Sequence, residues 1–552
     1  MTKVFVILLP MPNTLLLVVL GASATAQSPD PLEYYRQLRR AGELVESREY
    51  AKAVDAYRQL AEQKPENAEL WMRLGDALDR MGQPKPAAEA WQNGLQRGCR
   101  HAVFYTYDVA RAYARAGEQE PAIQWLERAL AAGYERRPSI AQDDAFTALR
   151  SEARFRRLVG ESTPEGMDRV AGWRLDLEHF LQEVKRLHYL YRHRQLPPEL
   201  TRAADALRGR IPELSNEAIL IELMRLAAML GDGHTQIYPV GRLPQMPQLP
   251  LRFYLFSDGL YVIDADRKDL IGRRVVRFGE VDAAEMLRRV EPLFGRDNEI
   301  AVRVLGPLLL AFPEILKHLG GTNRLALADN EVLTIEPSTV SARFGPPPKL
   351  MPSPLTMVPA PLYLRKVSDA YWFERLPDRK TIYFQFNQVM DKPDELLSAF
   401  AERLRRSLQE QDTANLIIDV RHNNGGNAGL LMPLLRVLVA FDTAQPGARL
   451  FVITSRYTYS AAQIFINNVQ RWTRAIFVGE PSGSSPNFVG EDTELLLPFS
   501  GVRGSISSRY HQSDGLDQRK WIAPRIPAEL SSSDYFANLD PALDAILRLI
   551  AE

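Results

Sequence analysis

The chain of 552 residues contains a single cysteine, Cys99. An intrachain disulfide is therefore excluded, and so is any cysteine-rich zinc or iron–sulfur site. An excess of either charge is also missing: Lys and Arg number 68, Asp and Glu 68. That balance supplies no general attraction to nucleic acid or to an anionic membrane. Histidine is scarce, at eight residues. Past the first 26 residues, no stretch is apolar enough to span a bilayer. What remains is ordinary globular composition, 45% apolar and 25% charged, which excludes wholesale disorder. The length predicts about three or four domains.

Residues 1–26 read as a secretory signal peptide. Lys3 gives residues 1–26 a positive start, Leu15 to Leu20 form an apolar run, and Ala24-Thr25-Ala26 matches a small-residue cleavage site. Pro10, Pro12 and Asn13 interrupt the run short of the ~20 residues that a span needs. Cleavage after Ala26 removes one Lys and no acid, leaving 67 basic against 68 acidic residues. The mature chain is expected to be exported, periplasmic or extracellular, with no membrane span. With one thiol, it relies on its core for stability.

Residues 32–160 carry an internal repeat with a period near 34. Ala53, Tyr57 and Leu60 are matched by Ala87, Trp91 and Gly94, and then by Ala122, Leu126 and Ala129. Trp71, Leu74, Gly75 and Leu78 precede the second set, and Pro65 closes the first unit. This pattern resembles the tetratricopeptide repeat, in which small residues stand where paired helices touch. Stacked repeats form a concave surface for a protein or peptide partner. They carry out no chemistry.

Beyond Ser162-Thr163-Pro164-Glu165-Gly166 the register ends. Residues 168–235 read as a helical bundle and 236–336 as a β-rich segment. Residues 337–361 hold eight prolines and read as a linker. From 362 to 552 strands and helices alternate: strands at Thr381–Phe386, 416–420, 450–454 and 475–479, with helices at 393–410, 428–441 and 460–473. This βαβ rhythm predicts a largely parallel, covered sheet, so the reactive loops belong at the carboxyl ends of its strands. The fold class expected is multidomain: an all-α repeat solenoid, then a helical bundle and an α/β core with an added β-rich segment.

Three loops bear on chemistry. Asp419 to Asn427 leaves a strand through Gly425-Gly426, and paired glycines let backbone N–H groups face an anion. A plain strand-to-helix turn uses glycine as well. Thr454 to Gln463 places Ser460 at the start of a helix, as a nucleophile beside the Ala461 N–H or simply as an N-cap. Gly231-Asp232-Gly233-His234-Thr235 closes a helix with a flanked histidine.

Together, and in this order, the three loops resemble the tail-specific, or C-terminal-processing, serine peptidases and their tricorn-like relatives. The resemblance covers roughly residues 170–545, a crotonase-like core, and is completed by Val478-Gly479-Glu480-Pro481-Ser482-Gly483. It implies Ser460 as nucleophile. One branch of that family uses a downstream lysine as base, but no Lys occurs from Ala461 to Arg519. The other branch uses a histidine, and His234 matches it. The resemblance further implies an oxyanion hole from Gly425 or Gly426 with Ala461, and a late glutamate that steadies the histidine. Here Gln518 stands at the glutamate's place, Asp517 is one position away, and Arg525 replaces the usual Asp after Pro524. A peptide-clamping module is at most a trace at Ile271 to Val276. The expected activity is hydrolysis of peptide bonds through an acyl-enzyme, with no metal and no cofactor, and with the repeats recruiting substrate or partner. The rival expectation is a weak or inactive member that binds peptides or apolar ligands, or acts as a scaffold.

Overall fold

The computed structural model describes residues 5–6, 19–20, 31–135, 137–160, 166–243, 246–338, 350, 355, 359–377, 380–409, 413–444 and 447–552. Of residues 1–26, Phe5–Val6 and Val19–Leu20 are described, as an antiparallel pair. The cleavage site expected at Ala24-Thr25-Ala26 and most of the proline-rich segment lie outside the described residues. Among the described residues no helix is long and apolar enough to cross a membrane. The chain divides into two compact units, residues 1–134 with 139–158, and residues 135–138 with 159–552.

From Pro31 on, the described residues of the first unit are helical, including Pro31–Glu46, Tyr50–Gln63, Ala68–Arg80, Pro84–Gln96, Ala102–Arg115 and Gln119–Ala131. Small residues stand where helices meet. A Cβ at Gly75 would run into the Trp91 indole, and one at Gly94 would lie 2.7 Å from Met72 Sδ. The Trp91 Nε1–H, carried into this seam, donates to Asp76 Oδ1 at 3.0 Å. Helix stops at Gly82 and Gly117 are 35 residues apart, as are those at Gly98 and Gly133, and all four have positive φ. That spacing lies within one residue of the period near 34 read from the sequence.

The second unit combines helices with α/β structure. Its central sheet runs β1 (Tyr371–Arg375), β2 (Thr381–Phe386), β3 (Asn415–Asp419), β4 (Arg449–Thr454), β5 (Ile476–Gly479) and β6 (Ile526–Pro527), in that spatial order. β1 is antiparallel to β2 and the rest are parallel. Side chains alternate between faces along a strand. Phe384, Leu416, Ile418 and Val452 therefore pack under helices Leu397–Gln409, Met432–Ala444 and Ala461–Trp472. Tyr383, Ile417, Phe451 and Val478 face Ile546 on the helix Pro541–Ala551. Both faces are covered, which is why these strands are nearly continuous apolar runs.

A charge is buried where β3 ends. Asp419 accepts from Tyr383 Oη at 2.6 Å and from Arg421 Nη2 at 2.6 Å. Arg421 also forks onto Asp540 at 2.8 and 2.7 Å and lies over the Tyr363 ring. This network sets the direction in which the chain leaves β3 toward Gly425.

Helices Arg169–Leu187, Pro198–Arg210 and Asn216–Ala228 form the expected bundle. The segment read as β-rich is mixed. Leu251–Phe256, Gly259–Ala265, Arg274–Phe278, Arg324–Leu327 and Val332–Thr334 are strands, but Ala283–Val290, Val302–Leu309 and Pro313–His318 are helices. A third sheet was not anticipated: the hairpin Phe488–Leu496 and Arg503–His511, edged by Gln236–Ile237. It holds the loop that carries His234.

Candidate active site

Asp232 organises the histidine loop. Its Oδ1 accepts the N–H groups of His234 at 3.0 Å and Thr235 at 2.7 Å, and also the Ser507 hydroxyl. Its Oδ2 lies 2.8 Å from His188 Nε2. Leu190 N–H donates to His188 Nδ1, so the His188 proton sits on Nε2 and points at Asp232. Burial alone would raise the Asp232 carboxyl. The bonds from His188, Ser507 and Thr235 outweigh it and hold the group below the usual carboxylate range. From the hairpin, Ser505 Oγ donates to the His234 carbonyl at 2.6 Å.

The His234 ring is sandwiched. It stacks on Tyr459 with centroids 4.5 Å apart and on Phe488 at 5.3 Å, and Phe488 in turn meets His511 at 5.0 Å. His234 Nδ1 is 3.0 Å from Tyr459 Oη, Nε2 is buried without a well-formed hydrogen bond, and the Val489 backbone faces the ring. Desolvation lowers the imidazole to about 4, so it is neutral at physiological pH.

Ser460 follows Tyr459 and begins the helix Ala461–Trp472 at the carboxyl side of β4. Its backbone has φ 55° and ψ −122°, and its side chain makes no capping bond. An ordinary N-cap has extended backbone and accepts a helix N–H with its hydroxyl. Ser460 does neither. Its own N–H donates to Ser484 Oγ at 3.2 Å. The glycine turn lies directly against it: a Cβ at Gly425 would sit 2.7 Å from Ser460 Cβ and 3.0 Å from Ala461 N. Gly425 has φ 115°, so both space and conformation require glycine. Tyr459 N–H donates to the Asn423 carbonyl at 3.1 Å, and Thr458 Oγ1 to the Val420 carbonyl at 3.0 Å, which ties the serine loop to the glycine turn.

The structure thus gathers the three loops but does not join every pair expected. No hydrogen bond links Ser460 Oγ to His234; the serine's neighbour, Tyr459, occupies Nδ1. Gly425 N–H donates to Asn423 Oδ1 at 3.0 Å, so it is already engaged. Gly426 is exposed, with the backbone of Val389 against its Cα. Ala461 N–H, first in its helix, has no acceptor within that helix. Asp517 is not beside His234. Its carboxylate is held by Arg519 at 3.0 and 2.7 Å, which keeps it below its ordinary range. Gln518 is exposed and makes no bond to the imidazole.

Two residues at the centre were not singled out beforehand. Tyr459 stood in plain sight, one position before Ser460. Asp297 gave no signal. Its Oδ1 accepts Gly233 N–H at 2.8 Å across 64 positions, and the Ser484 hydroxyl bonds the same buried carboxyl group. Desolvation raises its carboxyl to about 7, against the opposing Gly233 bond and with Asp232 adding to the rise. Beside these loops opens a cavity of about 570 Å³. Gly233, Asn424, Tyr457 and Tyr459 form its near wall, and Leu293, Phe294, Leu305 and Leu309 make it apolar.

A family model described as tetratricopeptide repeat matches residues 44–95. No curated protein matches the chain. Among solved structures, mature CPAF complexed with lactacystin is similar at 11% identity, covering 69% of this chain and 98% of that chain, with a TM-score of 0.48. The photosystem II D1 C-terminal processing protease is similar at 14% identity, covering 69% of this chain and 97% of that one, with a TM-score of 0.34. The Yersinia enterocolitica type III secretion chaperone SycD, in complex with a peptide of the translocator YopD, is similar at 20% identity, covering 24% and 94%, with a TM-score of 0.18.

Proposed function

We propose that the second unit is a serine-type peptidase acting through an acyl-enzyme on Ser460, with His234 as general base, in an exported protein whose repeats recruit a protein or peptide. The observation that carries this reading is the backbone at Ser460. Holding a non-glycine residue at φ 55°, ψ −122° costs on the order of 1–3 kcal/mol. A capping serine needs no such strain, whereas a nucleophile on a sharp strand-to-helix turn is presented by it.

In the reaction, Ser460 Oγ attacks the scissile carbonyl and its proton passes to the neutral His234. The imidazole later returns that proton to the leaving amine. Ala461 N–H, at the positive end of its helix, faces the developing oxyanion. Losing one such donor costs roughly 2.7–4 kcal/mol of barrier stabilisation. Closing His234 Nε2 onto Ser460 accompanies substrate binding, since catalytic hydrogen bonds often tighten only then. The cavity beside Tyr459 takes an apolar part of the substrate.

A fluorophosphonate probe and a peptide library, applied to the wild type, Ser460→Ala and His234→Ala, test this. Labelling and cleavage in the wild type alone support the reading. Equal behaviour of all three proteins sinks it.

One observation favours a second reading, a binding protein with little or no turnover. His234 Nε2 is buried without a well-formed hydrogen bond, and its ring stays neutral down to about 4. The cavity then holds an apolar ligand for its own sake, and Ser460→Ala leaves that binding unchanged.

A further inference from the structure

We propose that the cavity beside Tyr459 receives the side chain of a lysine or arginine next to the scissile bond, its methylene stem on the apolar lining and its cation against Asp492. This names a substrate class for the peptidase reading and rests on that reading for its catalytic meaning.

The hairpin builds the acidic side of the cavity. Side chains alternate along a strand, and residues directly opposite each other in an antiparallel pair share a face. Asp492 stands opposite Ser507, Glu494 opposite Ser505, and Leu496 opposite Arg503. Ser507 and Ser505 bond Asp232 and the His234 carbonyl, so this face looks toward the histidine loop. Thr493 and Leu495, which alternate with the two acids, are buried instead. Asp492 and Glu494 both line the cavity, together with Leu293, Phe294, Leu305 and Leu309.

Asp492 is an anion that lacks a counter-charge. Its carboxylate takes part in no hydrogen bond or ion pair among the described residues, and the charges that bear on it, Asp232 and Glu491, are both negative. The side chain is accessible, yet desolvation is the largest influence on its carboxyl and raises it to about 6. A group that is accessible but short of water lies in a recess, and the cavity supplies that recess. Two cations share the lining. Arg456 is committed to Glu480 at 2.6 Å. Arg503 lies farther along the hairpin face, with Glu494 between it and Asp492. One acid offsets that base, and the charge at Asp492 is left over.

A charge kept from water costs free energy that an opposite charge recovers. A purely apolar occupant would expel the remaining water and leave the anion facing hydrocarbon. Lysine and arginine avoid this, because each joins a methylene stem to a charged head. The Asp492 charge also bears on the Tyr459 phenol, one position before Ser460, so an occupant that meets it lies beside the nucleophile.

The test uses 4-aminobenzamidine and 4-aminobenzamide, one ring with and without a cation. Calorimetry follows their binding to the full chain at pH 8, above the range in which the Asp492 carboxyl takes up a proton. The wild type and Ser460→Ala are expected to bind the amidine at least tenfold more tightly than the amide, and Asp492→Asn to lose that preference. Equal affinity for the two probes in the wild type, no binding of the amidine, or a preference retained in Asp492→Asn overturns the inference. Peptides carrying lysine, arginine or norleucine are then expected to be cut at least tenfold faster at the basic residues by the wild type, and without preference by Asp492→Asn. Cutting by the wild type that does not favour the basic residues overturns the substrate class. An amidine preference in a protein that neither cuts peptides nor labels with a fluorophosphonate overturns the peptidase reading and leaves the cation-binding cavity standing.

Discussion

Tyr459 and His234 stack with ring centroids 4.5 Å apart, and their polar atoms, Oη and Nδ1, stand 3.0 Å from each other. The residues are 225 positions apart in the chain. The pairing brings the histidine loop to the residue directly before the strained serine. It also fixes which imidazole nitrogen is spoken for.

Gly425→Ala is expected to abolish labelling of Ser460 and to lower the melting temperature. The added methyl meets Ser460 Cβ at 2.7 Å and forces an L-residue to φ 115°. Strain of this kind costs on the order of 1–3 kcal/mol. Labelling stoichiometry and thermal unfolding, measured on the same sample, check it. Wild-type labelling would show that the turn does not abut the reactive hydroxyl.

The histidine contribution to stability is expected to fall as the pH drops from about 6.5 to 4, opposed in part of that window by Asp297 and Asp492, which burial raises to about 7 and about 6. Desolvation depresses both His179 and His234 to about 4. Between these values the two histidines bind protons in the unfolded chain that they refuse in the folded one, so their contribution rises with pH across the window and is complete above it. Each tenfold loss of proton affinity on folding is worth about 1.4 kcal/mol. Urea midpoints from pH 4 to 7 check this, and His179→Phe should flatten part of the slope. A slope unchanged by His179→Phe would mean that this ring is not dehydrated.

Asp540→Ala is expected to destabilise the second unit by about 3–5 kcal/mol, because it strips one partner from a buried guanidinium. Arg421 and Asp540 are both largely inaccessible, and the fork between them is two bonds deep. Chemical denaturation gives the value. A loss under about 1 kcal/mol, the range of an exposed pair, would indicate that solvent reaches it.

Trp91→Ala is expected to cost about 3–5 kcal/mol in the repeat unit. The indole fills the seam left by Gly75 and satisfies Asp76. Unfolding of residues 27–160 expressed alone, followed by circular dichroism, reports it if that piece folds. In the full chain, hydrogen exchange across 50–131 reports the same loss.

The central sheet was legible because its strands are buried on both faces. Thr381–Phe386 is apolar enough to be read to the residue. The repeat was legible because Gly75 and Trp91 answer each other in size. The hairpin Phe488–Leu496 escaped notice because it is half exposed, with Glu491, Asp492 and Glu494 breaking the apolar run. Ser460 and His234 were visible as loop residues at element ends. Asp297 was not, since its meaning lies in a bond to Gly233 that no local pattern encodes. The late loop misled for the opposite reason: Asp517 lies near the expected place in sequence, yet Arg519, two positions on, captures its charge.

Arg421 takes one anion from Asp419 beside it and a second from Asp540, supplied 119 positions later. Translation therefore delivers the clamp on the glycine turn long after the serine has emerged. A nascent polypeptide that has passed Ser460 but not yet released Asp540 holds that turn by one side only.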